Sequence, residues 1–117
     1  MTRTEHLLTI LSEECAEVAQ RVSKALRFGL AEVQPGQGLT NTERVEYELS
    51  DLFAVVEMLV EERVIADPTV SDFAKRLKKA KVEKFLVFSA GRGLVDGVVI
   101  DPVPHPEAEG VRTDSVN

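Results

Sequence analysis

The chain has 117 residues, 44% of them hydrophobic and 29% charged, with a formal net charge of −6. This is the composition of one globular domain, large enough for a core but only a small and marginally stable one. The acidic balance argues against nucleic acid as a partner, the single cysteine, Cys15, excludes a disulfide scaffold and suits a reducing, cytoplasmic setting, and no apolar run reaches the ~18 residues of a membrane span.

The first predicted helix opens at Thr2, which stands three residues before Glu5 in the spacing of a capping box. Its apolar stripe is Leu7, Leu8, Leu11, Cys15, Val18, Val22, Ala25 and Leu26, at intervals of three to four residues, and Gly29 is its natural stop. The stretch GLAEVQPGQGL, residues 29–39, follows as a loop with a Pro-Gly turn. A second capping box, Thr40 with Glu43, starts a helix expected to run to about Val64, with Val45, Leu49, Leu52, Val56, Leu59 and Val60 facing inward. The third helix is expected to open at Asp67-Pro68, a cap residue followed by proline at the first helical position, and to carry Val70, Phe73, Ala74, Leu77 and Phe88 on one face. From Ser89 onward the chain holds four of its seven glycines, three of its five prolines and no lysine. That composition predicts an irregular tail or arm over residues 89–117, with GLVDGVVID as a candidate short hairpin around Asp96-Gly97. The expected architecture is therefore an all-α helical domain over residues 1–88 followed by the tail. Three helices with one wide apolar face each leave surface uncovered, so a homodimer is expected.

Charges interrupt each apolar pattern. On a wheel of 3.6 residues per turn, Glu14 borders the stripe of the first helix, Glu17, Arg21 and Lys24 follow on the same flank, and Glu13 turns toward the polar side. Glu48 falls inside the apolar arc of the second helix, with Asp51 at its edge. Lys81 and Lys84 fall on the apolar side of the third helix, within a segment, residues 75–84, that holds six of the fourteen basic residues. A lone buried charge costs several kcal/mol and is kept only with a partner or a metal.

Two readings follow. In the plainer one, Glu14, Glu17 and Glu48 form salt bridges with Lys81, Lys84 and Arg21. In the sharper one, carboxylates at i and i+3 project from the same side of each helix, and two such pairs make an oxygen-rich cage for a hard divalent cation. A di-iron centre needs Glu-x-x-His pairs, and zinc needs clustered Cys or His. The only histidines, His6 and His105, do not supply either pattern.

EECAE (residues 13–17) followed by ELSD (residues 48–51) resembles the EExxE…ExxD signature of the MazG-like, all-α nucleoside triphosphate pyrophosphohydrolases. SKALRFG (residues 23–29) and KKAKVEKFL (residues 78–86) are similar to further stretches of that family, so the resemblance spans roughly residues 5–88. It implies a four-helix-bundle-like core completed by dimerisation, often as a dimer of dimers. It implies Mg²⁺-dependent hydrolysis of the α–β phosphoanhydride of a (d)NTP, with Mn²⁺ as a substitute metal. Carried over by position, Glu14, Glu17, Glu48 and Asp51 are the metal ligands, and Glu13 is an outer acid that orients water. Lys24, Arg27, Lys81 and Lys84 are the candidate phosphate-binding cations. Phosphoribosyl-ATP pyrophosphohydrolase shares this fold class and bond cleavage. A non-catalytic helical oligomerisation module is the alternative from outside enzymes.

Overall fold

A computed structural model of the chain describes residues 1–97. Residues 98–117, with the last four residues of the candidate hairpin and His105, lie outside the described residues, and the described part of that hairpin, residues 93–97, is turn and bend. Three helices follow in order: α1 (Arg3–Phe28), α2 (Asn41–Glu61) and α3 (Asp72–Gly91). The only extended pairing among the described residues is an isolated antiparallel bridge between Val33 and Thr40. Met1–Pro68 forms one compact unit and the part from Thr69 onward a second.

Both expected capping boxes are present. The Thr2 hydroxyl accepts from the Glu5 N–H at 3.1 Å while the Glu5 carboxylate accepts from the Thr2 N–H at 3.0 Å. Thr40 and Glu43 repeat the exchange at 3.1 and 2.9 Å. The backbone N–H of each threonine, and then its hydroxyl, holds the Glu5 and Glu43 carboxyls below the usual carboxylate range. Helix α1 stops at Gly29, whose φ of 107° suits glycine alone, and the Gly29 N–H closes on the Ala25 carbonyl at 2.9 Å.

Two helix ends differ from expectation. Helix α2 ends at Glu61, not near Val64, because Arg63 adopts a left-handed φ of 58°. The Arg63 N–H donates to the Val60 carbonyl and the Val64 N–H to the Leu59 carbonyl, both at 2.9 Å, the double closure of a Schellman motif. This reversal returns Val64 and Ile65 to the core beside Leu59. Helix α3 opens at Asp72 rather than at Asp67-Pro68. Ser71 is its cap and accepts from the Ala74 N–H at 3.1 Å, while Pro68 and Thr69 lie in a turn. The far end of α3 repeats the Schellman closure with Gly93 (φ 74°) in the left-handed place, and the helix takes in Ser89, Ala90 and Gly91.

In the first unit α1 and α2 pair through Leu7, Val55 and the fully buried Leu59, with Ile10, Leu11, Val64 and Ile65 around them. Arg3 adds a two-pronged bond to the Glu62 carboxylate at 2.9–3.0 Å. Two helices cover only a narrow strip of each other. The rest of the expected stripe is open: Leu8, Cys15, Val22 and Leu26 are exposed, Leu26 at 78%. Tyr47 and Phe53 on α2 are also exposed. No residue of α3 is buried, and Phe73 and Phe88 are exposed. Among the described residues no helix is long and apolar enough to cross a membrane.

Candidate metal centre

Glu14 and Glu17 stand one turn apart on α1, and Glu48 faces them from α2. One carboxylate oxygen from each of the three lies within 4.8 Å of the others. Glu14 and Glu48 are half-buried and Glu17 is exposed. The position of Glu48 follows from its sequence: it sits where the inward arc of α2 otherwise carries valine and leucine, so pairing the helices carries it toward α1.

This arrangement leaves polar atoms without partners. Glu14 Oε2 and Glu48 Oε2 are both shielded from solvent and accept no hydrogen bond. Orphaned buried acceptors of this kind are uncommon, since each costs about 1–3 kcal/mol. Burial first, then the proton-sharing contact and charge of Glu17, then the charge of Asp51, push the Glu48 carboxyl above the usual range. Arg21 opposes that push from α1. Its Nε lies 4.0 Å from Glu48 Oε1, at the limit of an ion pair, and both side chains are 20% exposed. The Arg21 guanidinium thus reaches Glu48, while Glu14 Oε2 and Glu48 Oε2 stay without a donor.

The other site residues expected from the sequence are placed as follows. Asp51 is exposed and stands outside the three-oxygen group, acting on Glu48 through its charge. Glu13 is exposed on the polar side of α1. Lys24 is half-buried one turn beyond Arg21, and Arg27 lies over the Phe28 ring, 4.9 Å from its centre. Lys81 and Lys84 belong to the second unit, half-buried and one turn apart on α3, with the Lys84 ammonium 5.5 Å from the centre of the Phe85 ring. His6 is exposed.

The chain matches no protein-family model, no curated protein and no solved structure. The donor set is oxygen only, with no imidazole or thiolate in the group, which fits a hard cation better than zinc or copper.

Sequence patterning understated two residues. Arg21 was visible on the acidic flank, four residues after Glu17, yet only the pairing of α1 with α2 turns it onto Glu48. Asn41 reads as a helix-start residue or a base-edge reader. In the structure it is buried to 3% exposure and spends its amide on the polypeptide itself.

Proposed function

We propose that this chain is a Mg²⁺-dependent nucleoside triphosphate pyrophosphohydrolase, cleaving the α–β phosphoanhydride of a (d)NTP to a nucleoside monophosphate and pyrophosphate. The observation that carries the reading is the meeting of Glu14, Glu17 and Glu48 from two helices, with two shielded oxygens that no protein donor satisfies. Removing one such carboxylate relieves repulsion, so the cluster is unfavourable for the empty fold and suited to a cation. The resemblance of EECAE and ELSD to the MazG-like signature supports the same assignment.

Glu14, Glu17 and Glu48 would hold the ion, with Asp51 one turn past Glu48 as the fourth acid. Mg²⁺ bound there supplies charge neutralisation at phosphate oxygens and lowers the pKa of a coordinated water. Glu13, exposed and adjacent to Glu14, accepts the proton of the attacking water. That water forms the new bond to the α-phosphorus as the bond to the bridging oxygen breaks, and pyrophosphate leaves with that oxygen. Lys24 and Arg27 on the same helix, and Lys81 and Lys84 on α3, are the cations assigned to the phosphate chain. The exposed side chains of Leu26, Tyr47 and Phe53 support self-association as a homodimer, or as a tetramer of two dimers. Light scattering at micromolar concentration tests this, and a monomer would count against it. A cytoplasmic site of action suits the exposed thiol of Cys15.

Pyrophosphate release from a panel of canonical and modified (d)NTPs, with phosphoribosyl-ATP included, with and without Mg²⁺, is the deciding assay. Metal-dependent release supports the reading, and silence across the panel removes it. One observation favours a second reading. The Arg21–Glu48 contact is what an interhelical ion pair of a purely structural module looks like. In that case replacing Glu48 lowers stability and changes no turnover.

A further inference from the structure

The first unit holds its two helices together by different means at its two ends. Toward the start of α1 and the end of α2, Leu7, Val55 and Leu59 form a close apolar cluster. Toward the end of α1 and the start of α2, the buried residues are Ala25 and Asn41. The acids lie between. Apolar contact is non-directional and tolerates sliding and small rotations. A hydrogen-bonded polar side chain fixes one geometry, and a buried one left unsatisfied is expensive.

Asn41 is built as such a fixture. Its side-chain N–H donates to the Gly29 carbonyl at 2.8 Å and to Glu32 Oε1 at 3.2 Å, while its backbone N–H donates to the Glu32 carbonyl at 2.9 Å. Gly29 caps α1 and Asn41 is the first residue of α2, so one amide joins the last carbonyl of one helix to the first turn of the next. The loop is braced around it. Gln34-Pro35-Gly36-Gln37 closes as a turn, the Gln37 N–H on the Gln34 carbonyl at 2.9 Å, and Thr42 returns both its N–H and its hydroxyl to the Leu30 carbonyl. From this joint, Glu48 lies seven residues along α2 and Arg21 eight residues back along α1, about 10 and 12 Å at 1.5 Å per residue. The two arms are nearly equal, and Arg21 and Glu48 do meet at 4.0 Å.

We propose that Asn41 is the positioning residue of the carboxylate site: its amide locks the end of α1 to the start of α2 and so sets the register at which Glu48 meets Glu14 and Glu17. The inference rests on the metal-site reading for its chemical meaning, but not for its geometry.

The test uses the full chain and three variants. Asn41→Asp keeps the shape but faces the Gly29 carbonyl and Glu32 carboxylate with acceptors only. Asn41→Ser is a milder loss of the same donor, held in reserve against misfolding. Leu59→Val is the control, since it loosens the apolar end. Mn²⁺ affinity is read by the electron-spin signal of the free ion. Register is read without metal in a Glu17→Cys/Glu48→Cys background carrying Cys15→Ser, as the rate of closure by a short two-headed thiol reagent. All are measured at a temperature where helicity equals that of the parent. Asn41→Asp is expected to weaken Mn²⁺ binding on the order of tenfold, as loss of outer support does at metal sites, and to slow closure several-fold. Raised Mg²⁺ should restore its turnover, which a general loss of fold would not permit. Leu59→Val should change both readouts less than twofold despite a lower melting temperature. Equal effects from Asn41→Asp and Leu59→Val, or none from Asn41→Asp and Asn41→Ser, overturn the proposal. If the parent binds no Mn²⁺, the metal reading fails alone, and the closure rates still decide the role of Asn41.

Discussion

The two ends of the α1–α2 pair solve one problem by opposite means. At the apolar end Leu7, Val55 and Leu59 exclude water and gain stability from area alone. At the other end a buried amide makes directed bonds to a helix-terminal carbonyl. Between them, three carboxylates gather with two oxygens unsatisfied, and the Arg21 guanidinium reaches one of them, Glu48. The contrast separates what makes the pair stable from what brings its acids together. A cluster that is costly for the empty fold can persist because the apolar end lies away from it and carries the stability.

That division is open to breakage from both sides, and the largest effect is expected at the acids. Glu48→Gln should reduce Mg²⁺-dependent pyrophosphate release by about a hundredfold or more, the upper range known even for groups that only support metal ligands. Thermal melting of the metal-free protein should hold or rise, since a repelling carboxylate is gone. A fall in stability with turnover unchanged would instead establish the structural reading. The pH dependence sharpens the point. Burial and Glu17 raise the Glu48 pKa in the folded state. Its contribution to stability is therefore full below its unfolded pKa and is lost as pH rises through the folded value. Parent and Glu48→Gln melting curves should converge in acid and separate toward neutrality, with added Mg²⁺ closing the gap. Glu5 and Glu43 act in the other sense, their stabilisation present above the unfolded pKa and lost as pH falls through the lowered one.

At the apolar end the order reverses. Leu59→Ala, at a site with no exposed surface, should cost about 2–5 kcal/mol by chemical denaturation. Turnover per folded molecule should stay near that of the parent in the cold. Thr40→Ala removes one capping bond and should cost about 1 kcal/mol. Arg63→Gly relieves the left-handed backbone at the end of α2 and should gain up to about 1 kcal/mol, the relief being partly offset by the freer unfolded chain. Arg3→Gln should have the smallest effect, because Arg3 remains 68% exposed in its contact with Glu62.

Much of the local structure was legible in the chain. Both capping boxes and the Gly29 stop depend on residues within three or four positions of one another, so spacing alone reveals them. Where two local signals competed, the stronger-looking one lost. Asp67-Pro68 has the form of a helix start, but Ser71 caps α3. Arg63 gives no hint in sequence of a left-handed turn, a place usually left to glycine, as Gly93 shows at the end of α3. There the docking of Val64 and Ile65 against Leu59 outweighs the local preference.

Three helices and the sharing of a helix face by the acids can be read from the chain alone, because both follow from the helical repeat. The meeting of Glu48 with Glu14 and Glu17 within 4.8 Å, the place of Asp51 outside that group and the burial of Asn41 arise from the packing of α1 on α2. Those facts depend on the register between two helices separated by a loop. No pattern within either helix contains that distance; it is set where the helices touch.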